Sequence, residues 1–178
     1  GYNIFVKFDA DNKVSVMTER GGSQAQETSL YSLCADNGPV LRFDTHNSLF
    51  HYYSEPLNED GIGPQGGGML GDYEFTMFEV TAEKVVLRGK KTGNTIIMVP
   101  LAAGESNVEK MNKLLQTDAD TKGYSAYEYT VNGAQASVVR DFRNMSFTYQ
   151  AAGEDVTFSE GYIVTEEGLE FYEPITFG

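Results

Sequence analysis

The chain has 178 residues, enough for one sizeable core or two small ones. Its 26 acidic and 13 basic side chains give a formal charge of −13. That balance argues against nucleic acid, whose phosphates are neutralised by Lys and Arg, and against an anionic membrane surface. A single cysteine, Cys34, excludes an internal disulfide, and no apolar run approaches the roughly 18 residues of a membrane span.

Eleven Tyr, 11 Phe and no Trp imply a core of rings contributed by alternate strand positions, and 19 Gly imply many turns. Taken in order, residues 3–8 and 13–19 read as strands about the Asp9-Ala10-Asp11-Asn12 turn. Residues 28–35 and 40–44 follow about Asp36-Asn37-Gly38-Pro39, strong turn punctuation. The stretch 46–53, HNSLFHYY, is assigned to a strand. Residues 55–71 hold six Gly and two Pro and are expected to be the longest and most mobile loop.

The apolar runs 73–80, 85–87 and 95–99 are rich in Val, Ile, Phe and Met, which suit a pleated half-buried surface. The Gly-containing gap Lys90-Lys91-Thr92-Gly93-Asn94 joins the last two as a hairpin. These three strands are expected in the middle of a larger sheet. One helix is predicted over 105–116, opened by the S-x-x-E pair Ser106 and Glu109 and striped by Val108, Met111 and Leu115. Strands resume at 124–131, 136–142, 145–150, 156–158, 162–165 and 169–172, the last pair joined by Glu166-Glu167-Gly168. Tyr73-Glu74-Phe75-Thr76 with Val85–Arg88 is echoed by Tyr127-Glu128-Tyr129-Thr130 with Val138-Val139-Arg140. The expectation is a single all-β domain over 1–178, mainly antiparallel, barrel-like or two-sheeted. It would have roughly ten to twelve strands and one helix. The echo raises two duplicated half-sheets, about 1–101 and 124–178, joined by that helix.

No constellation fixes a chemistry. Gly61-Ile62-Gly63-Pro64-Gln65-Gly66 matches G-x-G-x-x-G but leads into a strand rather than a helix, so it reads as loop. Asp9–Asn12 and Asp118–Gly123 miss the calcium-loop pattern, with Arg20 and Tyr129 at the terminal ligand positions. His46 and His51 would face opposite sides of a strand and lack zinc-site spacing. Glu166, Glu167 and Glu173 read as solvated turn charges, Lys84, Arg88, Lys90 and Lys91 as a solvated hairpin tip, and Cys34 as a buried inert thiol. Neither a catalytic group nor a metal set is assigned, and no cofactor is expected. His51, Tyr52, Tyr53 and Tyr73 flank the Gly-rich loop. Folding that loop back would gather their rings around a small-molecule site, with at most one of the adjacent Tyr52 and Tyr53 entering it.

Three stretches carry a family resemblance. They are GPVLRFDTHNSLFHYYSEP from Gly38, residues 71–101 through GDYEF, LRGKKTGN and MVPL, and GYIVTEEGLEFYEPITF from Gly161. Together they resemble an uncharacterised family of Bacteroidetes lipoproteins, a domain of unknown function. The resemblance implies an extracytoplasmic, cell-envelope protein with no assigned activity, touching the membrane only through a lipid anchor upstream of Gly1. Cys34 does not suit lipidation, because Leu33 stands where a small residue is needed. The reading is then a non-enzymatic binding or accessory protein for a small molecule or glycan. The alternatives are a carboxylate-dependent glycan hydrolase and a structural partner in a surface complex.

Overall fold

The computed structural model describes residues 1–57, 60–123, 127–131 and 133–177. Its strands form two curled antiparallel sheets. One is a seven-stranded meander in which every strand pairs with its sequence neighbours: β1 (Ile4–Asp9), β2 (Lys13–Thr18), β3 (Glu27–Ala35), β4 (Pro39–Phe43), β5 (Glu74–Val80), β6 (Val85–Gly89) and β7 (Thr95–Met98). The other has five strands: β8 (Tyr127–Val131), β9 (Ala134–Asp141), β10 (Asn144–Ala151), β11 (Glu154–Val164) and β12 (Leu169–Phe171). The helices among the described residues are α1 (Ser48–His51), which runs into a 3₁₀ turn (Tyr52–Ser54), and α2 (Asn107–Lys122). Contacts divide the chain into two compact units, Ile4–Glu109 and Lys110–Gly178 with Gly1–Asn3. The antiparallel two-sheet expectation stands.

In the first unit the core is laid down by alternation. Val14 and Val16 of β2, Leu41 and Phe43 of β4, Phe75 of β5 and Leu87 of β6 all turn to one face. Leu49 and Phe50 of α1 join them, and Phe50 stacks on Phe43 with ring centroids 3.8 Å apart. In the second unit Phe147 is fully buried and stacks on Phe158 at 5.1 Å. Phe171 and Phe177 meet Phe147 edge-on.

Several expectations are corrected. Residues 46–53 do not form a strand, because Asn47 caps α1: its side-chain oxygen accepts from Leu49 and Phe50 N–H at 3.2 and 3.1 Å. Its amide donates to the Glu27 carbonyl and the Ser29 hydroxyl, both at 3.2 Å, so the fully buried Asn47 ties helix to β3. A cap residue that saturates its own hydrogen bonds outweighs the strand preference of the rings after it. The β5–β7 hairpins lie at one end of their sheet, not in its middle, and β7 is an edge. β11 is one 11-residue strand, not two, since Gly161 is no break. A Cβ there would sit 3.3 Å from the Tyr172 ring, so the glycine gives that ring its seat. Residues 124–126 of the expected 124–131 strand lie outside the described residues. Cys34 is half-buried rather than buried.

The helix also runs further than expected. Ser106 does cap it, accepting from Glu109 N–H at 3.3 Å, but the buried positions are Met111, Leu114 and Asp118. Leu115 is only half-buried. Because the next buried position after Leu114 is a carboxylate, an apolar stripe could not reveal the last turns.

The described residues of the glycine-rich loop, 55–57 and 60–71, are mostly exposed but carry several backbone-to-backbone approaches. Gly71 N–H donates to the Tyr53 carbonyl at 2.7 Å and closes the loop. A Cβ on Gly63 would lie 1.9 Å from the Gly68 carbonyl oxygen, and one on Gly68 would lie 2.0 Å from that of Glu55. At these positions glycine lets backbone touch backbone, whereas Gly61 and Gly66 face open space and serve their positive φ of 65° and 73°.

Next to the loop, the Asp72 carboxylate accepts from Lys91 N–H at 2.7 Å, from Thr92 N–H at 3.3 Å and from the Thr92 hydroxyl. It thereby holds the β6–β7 turn. A Cβ on Gly89 would fall 2.0 Å from the same carboxylate. Gly89→Ala is therefore expected to lower stability by about 2 kcal/mol, the usual cost of overpacking. In an Asp72→Ala background the penalty should shrink to a few tenths of a kcal/mol, as coupled contacting residues require. Urea denaturation of the four proteins reads the coupling, and equal penalties in both backgrounds would refute the contact.

Candidate functional site

The four residues singled out from the sequence all lie in the first unit, at the junction of α1, the 3₁₀ turn and the start of β5. The Asn47 cap positions His51 four residues on, where Asn47 N–H donates to His51 Nδ1 at 3.1 Å. The Asn47 carbonyl oxygen lies 3.2 Å from the same Nδ1, so the Asn47 backbone holds the ring whichever of its nitrogens carries the proton. Tyr73 precedes β5, and its carbonyl accepts from Phe43 N–H at 3.0 Å, which fixes it against the end of β4. His51 and Tyr73 come together as a stacked pair, centroids 5.4 Å apart at 26°. On its other side His51 stacks on His46 at 5.2 Å and 30°. The two histidines expected on opposite faces are thus neighbours, because a helical turn rather than a strand separates them.

The result is a three-ring column, His46–His51–Tyr73, whose two ends are exposed. Tyr73 is 47% exposed, so its outer face is open to solvent. Leu70 is also exposed at the end of the glycine-rich loop and holds a φ of +55°, a costly conformation for a branched side chain. Burial lowers the His51 pKa below its ordinary value, against the opposing pull of the Asn47 backbone bond and of Glu55 and Glu27. The column is thus neutral at its centre near pH 7. The Glu27 carboxylate stands at the head of α1, accepting from Ser48 N–H at 2.8 Å and from the Ser48 hydroxyl at 2.5 Å.

Tyr52 and Tyr53 are closed in, each 9% exposed and meeting edge-on at 5.4 Å. The Tyr52 hydroxyl donates to Asp60, while the Arg20 guanidinium lies 3.9 Å over its ring. Burial, followed by the Asp60 bond, pushes the Tyr52 phenol above its usual range. Of the four candidates, the structure brings His51 and Tyr73 together as a stacked pair, while Tyr52 and Tyr53 are buried and meet each other. His46, Arg20, Asp60 and Asn47 were not found by sequence reasoning; Asn47, a cap residue before an apolar pair, was the available signal.

The second unit holds a buried polar cluster that the sequence did not suggest. Asp118, expected in a loop, is on α2 and accepts from Arg140 at 2.7 Å, Arg143 at 2.6 Å and Lys122 at 2.7 Å. Arg140 also donates to the Tyr162 and Thr121 hydroxyls. The Arg140 bonds to Asp118 and Thr121 and the Arg143 bond to Asp118 tie α2 to β9 and the β9–β10 turn, while Lys122–Asp118 lies within the helix and Arg140–Tyr162 joins β9 to β11. Glu166 is likewise held, by Lys110 and Lys113 at 3.0 Å each. Among the described residues no group of three or more His, Cys, Asp or Glu side chains is placed to hold a metal ion. None of the described helices is long and apolar enough to cross a membrane, which says nothing of strands.

Fold and surface together define a two-sheet β-protein that presents an exposed aromatic column. Across residues 1–178 the chain matches the model of a domain of unknown function, DUF4302, and it belongs to that family. No curated protein and no solved structure matches it.

The Asp118 cluster makes acid stability a test of the second unit. Burial opposes the charge, but hydrogen bonds from Lys122 and Arg143 outweigh it, so the folded pKa lies below the ordinary 3.8. A depressed carboxylate pKa stabilises the fold fully above the unfolded value and loses that contribution as pH falls through the folded one. Asp118→Asn should therefore cost stability at pH 7 and flatten the fall below pH 3.8. Urea midpoints measured from pH 7 to pH 2 decide it: parallel curves for the two proteins would show that Asp118 contributes nothing.

Proposed function

We propose that this protein is a non-enzymatic binding or accessory protein of the bacterial cell envelope whose ligand docks on the His46–His51–Tyr73 column. The carrying observation is an aromatic ring braced on one face and open on the other. Tyr73 is stacked on His51 at 5.4 Å yet 47% exposed. A ring so held loses little freedom on binding and offers a flat apolar area to a sugar or another small organic molecule. The envelope placement and the lipid anchor rest on the resemblance to Bacteroidetes lipoproteins. The non-enzymatic reading is supported by Glu166 being tied up between two lysines and Asp118 among three basic side chains, which leaves neither poised for acid–base work.

A structural role in a surface complex has its own observation. On β7, Ile96 and Met98 pack on the core, so Ile97 points the other way and is 63% exposed. Phe78 on β5 is 64% exposed and Val99 is 70% exposed. Apolar groups gathered near a sheet edge suit assembly more than a soluble ligand.

A glycan and metabolite array read with the wild type, Tyr73→Ala and Ile97→Ser separates the two. Binding that falls at least tenfold in Tyr73→Ala and is unchanged in Ile97→Ser is the expected outcome. A ligand indifferent to Tyr73→Ala would place the site elsewhere. No ligand at all, with self-association that Ile97→Ser abolishes, would favour assembly.

A further inference from the structure

We propose that the group received by the outer face of Tyr73 is an organic cation, a guanidinium or substituted ammonium carried by the ligand. This rests on the column being the binding site and narrows what it binds.

The protein pairs rings with carboxylates and guanidinium groups elsewhere, and fills those places with its own arginines. Arg20 lies 3.9 Å over the Tyr52 ring, and its Nε is 3.5 Å from the Asp60 carboxylate that also takes the Tyr52 hydroxyl. In the second unit Arg140 lies 5.0 Å over the Tyr162 ring, Arg143 lies 4.9 Å over Tyr2, and both bond Asp118. Each case has a π face, a carboxylate and a planar cation, the combination in which quadrupole and charge attract the same group.

The Tyr73 column has the first two parts. Its rings are Tyr73, His51 and His46. Its carboxylates are Glu27 at the head of α1 and Glu55 just past the 3₁₀ turn, both close enough to act on His51. Among the described residues no Arg or Lys lies over Tyr73, His51 or His46. The Tyr73 ring is 47% exposed, so a cation from outside can reach it. A half-buried, neutral His51 behind Tyr73 does not repel such a group, whereas a protonated one would. The chain's formal charge of −13 also raises the local concentration of cations and lowers that of anions. A neutral saccharide could stack on Tyr73 and hydrogen-bond a carboxylate but would gain no charge attraction from Glu55, and a uronate or sialate would be repelled by it.

The test is a titration followed by NMR of the Tyr and His ring resonances, using four probes: arginine amide, the peptide acetyl-Gly-Arg-Gly-amide, methyl glucopyranoside and glucuronate. Arginine amide or the peptide should shift the Tyr73 and His51 rings saturably. Affinity should fall at least tenfold in Tyr73→Leu, which keeps the bulk and removes the π face, and about threefold in Glu55→Gln. If arginine amide alone suffices, the source is a small cation; if only the peptide binds, it is a basic segment of a partner protein. Methyl glucopyranoside shifting Tyr73 while both cations fail would overturn the cation and leave the binding site standing. Glucuronate binding more tightly than arginine amide would do the same. Silence from all four probes at Tyr73 would remove both the cation and the column as the site. Retention of the wild-type far-ultraviolet spectrum by Tyr73→Leu and Glu55→Gln keeps a folding defect from counting as either result.

Discussion

The contact on which the first unit's surface depends is the Asp72 carboxylate lying over Gly89. Three donors from the β6–β7 turn converge on it, and the missing Cβ of Gly89 is what lets it approach. Asp72 also stands between the end of the glycine-rich loop and the start of β5. One side chain thereby fixes three things at once: the turn, the register of Phe75 opposite Gly89, and the direction in which Tyr73 leaves the loop. The adjoining bond from Lys90 N–H to the Glu74 carbonyl at 3.0 Å continues the same clamp. A carboxylate that accepts several backbone N–H groups is held far more firmly than one paired with a surface lysine.

That clamp explains why two motifs within the family stretch 71–101 are not separate signals. GDYEF supplies the carboxylate and LRGKKTGN supplies its cradle. DTHNSLFHYY, from the stretch that starts at Gly38, supplies the opposite wall of the same corner, where Asn47 caps α1 and His51 stacks on Tyr73. Residues far apart in the chain are thus parts of a single corner.

What was legible in the sequence was periodic. Strands β1 to β7 and β9, β10 and β12 declared themselves by alternation and by turn residues, and α2 by Ser106 and Glu109. What was not legible depended on partners that no local pattern encodes. The rings of 46–53 look like a strand until Asn47 is seen to have four hydrogen-bond partners for a cap. The end of α2 is hidden because its buried face closes with Asp118, whose cost of burial is met by Lys122 on the same helix and by Arg140 and Arg143 of the β9–β10 hairpin. Gly161 looks like a break until the Tyr172 ring is found lying on it. At the site, Tyr73 and His51 were legible as rings flanking one loop, but which of the four rings would face solvent was a matter of tertiary packing.

The glycine-rich loop is where composition says least about what each glycine does. Glycine frees a chain only when nothing holds the backbone; where carbonyls approach within the space of a methyl group, it does the reverse. In residues 55–71 the approaches at Gly63, Gly68 and Gly71 are of that second kind. The last of these approaches, at Gly71, fixes where the chain re-enters the sheet. The loop's two ends meet at the Tyr53 carbonyl, which buries Tyr52 and Tyr53 and leaves Tyr73, one step beyond, turned outward against His51. The Leu70 backbone, driven to a positive φ, is part of the same geometry, since the chain must reverse there before Asp72 can reach its turn. The exposed column therefore follows from how the loop closes, and the strain at Leu70 is what it costs to hold Tyr73 open to solvent.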